Sequence, residues 1–193
     1  MLSKSQLKRE NLKKIFYLLI LIPSLSFTQD NKKYCNYITD NSEGSKGIKM
    51  KIFYLCSWEV HNGERQGVVK IFSNSTATEN MTLIINAVPK EYILEKNQIK
   101  EDYKEMGKVI SIRETKIENI KTIEAIIEST QERAVGKFKI KALLYSFIYK
   151  NCLVGISFSC QGFDRSVVNK KFLNEEGLFK LLVSRTILLD KLE

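Results

Sequence analysis

The chain has 193 residues, of which 44% are apolar, and carries a formal net charge of +9. This length suits one domain with its own hydrophobic core, and a second full domain would be cramped. The first 28 residues contain five of the 31 basic and one of the 22 acidic side chains. Without this basic leader, 26 basic and 21 acidic side chains remain. Such a mild excess, scattered along the chain, does not indicate nucleic-acid binding.

Residues 1–28 have the pattern of a secretory signal peptide. The basic stretch MLSKSQLKRENLKK precedes a 13-residue apolar run, IFYLLILIPSLSF, which contains Pro23. A membrane-spanning helix needs roughly 20 apolar residues, so this run is short for a permanent anchor. We therefore predict cleavage after Thr28, with Ser26 as an alternative, and export to the periplasm or beyond. An uncleaved leader would instead tether the domain to the membrane.

The first half of the remaining chain predicts an arm, three strands and a helix. Residues 29–46 are polar and turn-forming, which indicates a flexible N-terminal arm, and the domain is expected to span residues 47–193. Alternation from Ile48 to Tyr54 predicts the first strand, and HNGERQG a turn. VVKIF and MTLIINAV are the next two strands. The pattern from Lys90 to Met106 predicts an amphipathic helix that stops at Gly107.

The second half predicts a four-strand meander and a closing helix. KVISIRETKI and IKTIEAIIEST are joined by a turn at Glu118 and Asn119, and FKIKALLYSFIYK and NCLVGISFSC by a turn at Lys150 and Asn151. The stretch 164–191 predicts a helix that begins near Asp164 or Ser166, with Gly177 as a possible point of division. The order indicates an α+β fold, an antiparallel sheet of six to seven strands covered by helices.

Several local stretches, taken in this order, resemble the PsbP/Mog1 superfamily, in the form of small exported bacterial proteins. They are FYLCSWEV, GVVKIF, MTLIINAVP, the hairpin KIKALLYSFIYKNCLVGISFSC and the helix LFKLLVSRTI. Cys56 stands near the position where the family often has proline, and Trp58 matches its tryptophan. The resemblance implies an α/β/α sandwich and a role as an accessory or assembly factor rather than a catalyst.

Four cysteines, Cys35, Cys56, Cys152 and Cys160, permit two disulfides in an exported chain. Cys152 and Cys160 lie on one predicted strand about 26 Å apart, beyond the roughly 7 Å that a disulfide spans. If two bonds form, Cys35 and Cys56 must therefore each reach one of these two. Free buried thiols are the alternative.

Residues for catalysis, metal ligation or cofactor binding are not indicated. The single histidine, His61, lies in a predicted turn without a nucleophile motif. No C-x-x-C, H-x-x-x-H or glycine-rich phosphate loop is present. We therefore expect no cofactor, no metal site and no enzymatic activity.

One strand face and one aromatic residue are the remaining features. Trp58 is predicted to be structural, buried beneath a corner of the fold. Side chains at alternate positions of one predicted strand form a possible docking face for an acidic protein or an anionic envelope component. It comprises Lys137, Lys139, Lys141, Tyr145 and Tyr149.

Two functions from different classes are consistent with these features. The first is an exported, non-enzymatic module that docks on a periplasmic or envelope protein. The second is a small-molecule, lipid or metal-binding protein, or a hydrolase, that uses a cleft between sheet and helix. Convergence of Trp58, His61 and a carboxylate in one pocket would favour the second function. A filled seam between sheet and helix would favour the first.

Overall fold

Ten strands and two α-helices form the part of the chain that this computed structural model describes, residues 33–39, 43–134 and 136–191. The predicted signal peptide lies outside these residues. The helices are α1 (Lys96–Met106) and α2 (Arg165–Ser184), with single 3₁₀ turns at Glu43–Ser45 and Leu189–Lys191. The strands are β1 (Tyr34–Ile38), β2 (Met50–Leu55), β3 (Glu59–Asn62), β4 (Val68–Ser73), β5 (Glu79–Ala87), β6 (Lys108–Ile117), β7 (Ile120–Arg133), β8 (Gly136–Tyr149), β9 (Cys152–Gly162) and β10 (Ile187–Leu188).

Seven strands form one antiparallel sheet in the order β3-β4-β5-β9-β8-β7-β6, and β1-β2-β10 form a small second sheet. This architecture confirms the predicted α+β class and the strand number. Alternate side chains of the large sheet face opposite helices, as the two-residue period of a strand requires. One face packs against α2 and β2, and the β6–β8 part of the other face packs against α1.

Two tight hairpin turns fix the register of the meander. Glu118 and Asn119 both have positive φ, as do Lys150 and Asn151. Two consecutive residues of this kind suit a two-residue turn whose twist matches the flanking strands. Both turns lie where the sequence predicts them, so the pairings β6–β7 and β8–β9 follow from local sequence.

The sequence predicts the start of α2 correctly but places the start of α1 too early. Asp164 caps α2 and accepts from the backbone N–H groups of Ser166 and Val167, in keeping with the predicted start, and Gly177 does not divide this helix. The helix ends at Ser184 rather than at residue 191, because Ile187 and Leu188 pair with β2 as strand β10. Helix α1 begins at Lys96 rather than at residue 90. The preceding Ile93 is 72% exposed, so it does not continue the apolar stripe formed by Ile99 and Tyr103. Neither described helix is long and apolar enough to cross a membrane.

The prediction of a flexible arm over residues 29–46 is wrong for its central part. Residues 34–38 form β1, which pairs along its whole length with β2, so the compact unit begins at Lys33 rather than residue 47. The predicted turn HNGERQG also contains part of β3, which pairs with β4. All four residues of β3 are exposed, so no burial pattern marks this strand in the sequence.

Candidate functional site

The space between α2 and the large sheet is filled by aromatic side chains. Phe158, Phe172 and Phe179 are fully buried, and the rings of Phe158 and Phe179 stack at 4.7 Å. Trp58 is 5% exposed and lies 6.5 Å from Phe179, centroid to centroid, which places this residue in the core as predicted. The centre of the seam therefore offers no room for a ligand.

His61 does not join Trp58 in a pocket. Its side chain is exposed on the edge strand β3, and its Nε2 lies 3.5 Å from the carboxylate of Glu59. Trp58, in contrast, points into the core below α2. The convergence of Trp58, His61 and a carboxylate that would favour a small-molecule site or a hydrolase is not found. Among the described residues, no group of three potential metal ligands comes together.

The five residues predicted as one docking face are separated by helix α2. They share a strand parity as predicted, but Tyr145 is 4% exposed and Tyr149 packs against the core. Lys141 has 15% side-chain exposure, and its Nζ lies 5.3 Å from the ring centroid of Phe172. Lys137 is exposed and Lys139 is half-buried. The prediction of one continuous accessible face is therefore wrong, because the sequence does not show which face α2 covers.

A solvent-open cleft of about 480 Å³ lies at the accessible end of this strip. The C-terminal end of α1, strands β7 and β8 and the first turn of α2 form its walls. Four cations and two carboxylates line this space, an excess of two positive charges. They are Lys108, Lys139, Lys141, Arg165, Glu105 and Glu128. We call this space the basic cleft.

Glu128 organises the floor of the basic cleft. Its carboxylate accepts from Arg165 of α2 and lies 3.2 Å from Nζ of Lys141. Burial alone would raise the pKa of Glu128, but the hydrogen bonds and charges of Arg165 and Lys141 outweigh this effect. The pKa of this carboxyl is therefore held below its ordinary value. In its ionised form, Glu128 links the start of α2 to the sheet through its ion pair with Arg165.

Glu128 should make the stability of the protein dependent on pH. Since its pKa is lower in the folded than in the unfolded chain, its contribution is complete above the unfolded pKa, roughly 4.3. The contribution is lost as the pH falls through the lower folded value. We expect Glu128→Gln to be less stable than the parent at pH 7 and to lose less stability between pH 5 and 3. Urea unfolding at each pH measures this difference; parallel curves would contradict the assignment.

Lys108 and Lys139 are the cations of the cleft that no carboxylate holds among the described residues. Lys139 donates to the hydroxyl of Thr130 at 3.2 Å. Lys108 is exposed at the start of β6, opposite Glu128 on β7. These two ammonium groups are accessible to an external anion.

Sequence reasoning identified Lys139 and Lys141 but missed Lys108 and Arg165. Counting from the turn at 118–119 would place Val109 opposite Glu128. A β-bulge between Val109 and Ser111 shifts the register by one residue and brings Lys108 there instead. Arg165 directly follows the predicted cap residue Asp164, but its contact with β7 depends on tertiary packing. Neither a β-bulge nor the packing of a helix on a sheet has a clear signal in the local sequence.

A second polar cluster lies at the other end of α2. Arg113 donates two hydrogen bonds to the buried carboxylate of Glu124, at 2.8 and 3.0 Å. Burial, followed by the charge of Glu124 and a hydrogen bond with it, raises the pKa of Tyr145. The adjoining recess is smaller, about 190 Å³. Because the charges of Arg113 and Glu124 satisfy each other, this cluster stabilises the sheet rather than presenting a site.

The cysteines pair differently from the prediction. Cys35 and Cys56 form a disulfide with each other, with Cα atoms 4.9 Å apart, whereas Cys152 and Cys160 are free and buried. The pairing of β1 with β2 brings Cys35 close to Cys56, which lies just beyond the end of β2. Burial first, and then the charge of Glu79, raise the pKa of Cys160 to about 12. This thiol is therefore protonated and shielded rather than a nucleophile.

No protein-family model matches the chain, and no curated protein matches it either. Among solved structures, the Ran-binding protein Mog1p of Saccharomyces cerevisiae is similar over 81% of this chain and 96% of that protein, with a TM-score of 0.50 and 9% sequence identity. The chain has the Mog1/PsbP-like fold. The predicted resemblance is thus confirmed at the level of the fold.

A protein from Bacteroides thetaiotaomicron VPI-5482, solved at 1.50 Å resolution, is also similar. It shares 16% sequence identity with a TM-score of 0.45, over 79% of this chain. The chain covers 47% of that protein, so it spans about half of its length.

Proposed function

We propose that this Mog1/PsbP-like domain is an exported, non-enzymatic accessory protein that docks on a protein of the cell envelope. The observation that carries the proposal is the contrast between a filled sheet–helix seam and an open basic cleft. A chain that used an internal ligand would need space beneath α2, where aromatic rings lie instead. The cleft, in contrast, offers exposed cations to a partner from outside.

Two further features support an exported docking protein. The Cys35–Cys56 bond suits an oxidising compartment, in keeping with the predicted leader. The apolar side chain of Met106, which lines the basic cleft, is also exposed. Exposed apolar groups beside charges are typical of protein-binding surfaces, in which an apolar centre has a polar rim. Mog1p is itself a Ran-binding protein, and here the shared fold is taken as a scaffold for protein binding.

Affinity capture from the envelope fraction of the native host tests the docking role. The bait is the full chain at about 50 mM salt, where exposed charges are weakly screened. We expect the parent and the control variant Lys100→Glu/Lys116→Glu to retain one partner, which Lys108→Glu/Lys139→Glu loses. All four lysines lie on the described surface, so the two variants change the same charge at different places. A partner retained equally by both variants would contradict docking at the cleft.

N-terminal sequencing of the captured bait tests export separately. We expect a mature start at Gln29, or at Phe27 if the alternative cleavage point is used. An intact Met1 in the membrane fraction would contradict secretion and indicate a tethered domain. This result does not depend on the identity of the partner.

A further inference from the structure

Lys108 and Lys139, the cations of the basic cleft that no described carboxylate holds, are too far apart to share one small anion. Lys108 of β6 lies opposite Glu128 of β7, and Lys139 of β8 lies opposite Thr130, two residues further along β7. Two strand spacings and two residues along a strand separate the Cα atoms of these lysines by roughly 11 Å. A phosphate group needs donors that converge on one position, whereas these ammonium groups suit separate negative charges.

The usual phosphate site at a helix N-terminus is already occupied here. The carboxylate of Asp164 accepts from the backbone N–H groups of Ser166 and Val167 at 2.6 and 3.1 Å. The next N–H, of Val168, donates to the carbonyl of Asp164. The amide groups that would cradle an oxyanion are therefore satisfied within α2.

The two carboxylates of the cleft also lower its positive potential. Glu105 and Glu128 lie among the four cations, and Glu128 engages both Arg165 and Lys141. A dense polyanion such as a phosphate-rich surface would meet these carboxylates as well as the cations. A ligand with few, spaced negative charges avoids this repulsion.

The wall of the cleft adds an apolar requirement. Met106, the last residue of α1, lines the cleft and is 53% exposed. It lies in the same wall as Lys108, two residues further along the chain. An exposed, adaptable apolar side chain next to separate cations fits a ligand that has an apolar side chain between acidic ones.

We infer that the basic cleft binds an acidic, extended polypeptide segment, with carboxylates on Lys108 and Lys139 and an apolar side chain against Met106. This inference rests on the proposed function and names the chemistry of the partner. An extended chain advances about 3.3 Å per residue, so side chains three or four residues apart span the two lysines. Aspartate and glutamate supply the single, spaced charges that the cleft accepts.

Fluorescence anisotropy with defined probes tests this inference on the full mature protein. The probe is a labelled nine-residue peptide with a glutamate at each end of a four-residue span and a phenylalanine between them. We expect the parent and Lys100→Glu/Lys116→Glu to bind this peptide within about twofold of each other. Lys108→Glu/Lys139→Glu should bind at least about tenfold more weakly. Circular dichroism confirms that both variants are folded.

Three further probes decide the class of ligand. The same peptide with glutamine in place of glutamate should bind at least about tenfold more weakly, because its charges are lost. Inorganic phosphate and phosphatidylglycerol vesicles should compete poorly at equal negative charge. Equal binding of the glutamine peptide, or preference for phosphate or vesicles, would overturn the inference. If the peptide fails while envelope capture still depends on Lys108 and Lys139, the inference falls and the proposed docking function stands.

Discussion

Replacement of Trp58 with alanine should lower the free energy of unfolding by about 3–5 kcal/mol, the usual cost of removing a buried large aromatic side chain. Trp58 is 5% exposed and packs near Phe179, on the helix that covers the large sheet. The variant would leave a cavity between the corner after β2 and helix α2. For a domain of this size, the melting temperature should fall by about 6–20 °C.

Thermal and urea unfolding of the variant measure this change. Ile93→Ala is the matched control, because Ile93 is 72% exposed and its removal should alter the free energy of unfolding by less than about 0.5 kcal/mol. An unchanged melting temperature for Trp58→Ala would contradict a structural role and indicate an exposed binding residue. The seam beneath α2 would then not be filled in solution.

Reduction of the Cys35–Cys56 bond should be the second large effect, lowering the free energy of unfolding by about 3 kcal/mol. This value follows from the loop entropy of a 21-residue separation in the unfolded chain. The double variant Cys35→Ser/Cys56→Ser should show the same loss without reductant. Strand β1 should open first, since its pairing is with β2 alone.

Alkylation followed by mass measurement tests the pairing itself. Unfolded but unreduced protein should take up two labels, on Cys152 and Cys160, and four after reduction. In the folded protein, both buried thiols should react slowly at neutral pH, since burial raises their pKa values. Four labels without reduction, or a labelled Cys56 in unreduced protein, would contradict the disulfide.

The elements with a strong local signal were predictable from the sequence. Alternating residues in β7 to β9, paired turn residues with positive φ and the cap residue Asp164 each depend on near neighbours. These elements give the meander and α2, which together define most of the fold. The resemblance to the PsbP/Mog1 superfamily rests on the same stretches.

Elements held by distant contacts were missed. Strand β1 is half-exposed and lies in a polar stretch, and its position depends on pairing with β2 and on the bond to Cys56. The short strand β3 is exposed throughout, so it has no alternating burial to detect. The predicted bonds from Cys35 and Cys56 to Cys152 and Cys160 were wrong for the same reason, because Cys35 was treated as part of a free arm.

The candidate site was predictable in part. Strand parity correctly placed Lys139 and Lys141 on one face of β8. Which face α2 covers depends on tertiary packing, which the local sequence does not show. That packing buries Tyr145 and turns Lys141 inward to Glu128. The same packing brings Arg165 into the cleft, and the bulge in β6 adds Lys108. Neither residue is near the predicted strip in sequence.

Photo-cross-linking in the native envelope tests docking at the basic cleft most directly. A photoreactive phenylalanine derivative replaces Met106, which lines the cleft, or, as the control, the exposed Leu181 near the end of α2. We predict a cross-linked partner from position 106 that is absent from position 181 and disappears with Lys108→Glu/Lys139→Glu. Cross-linking from position 181 alone, or a product from position 106 that persists in the charge-reversed variant, would contradict docking at the cleft.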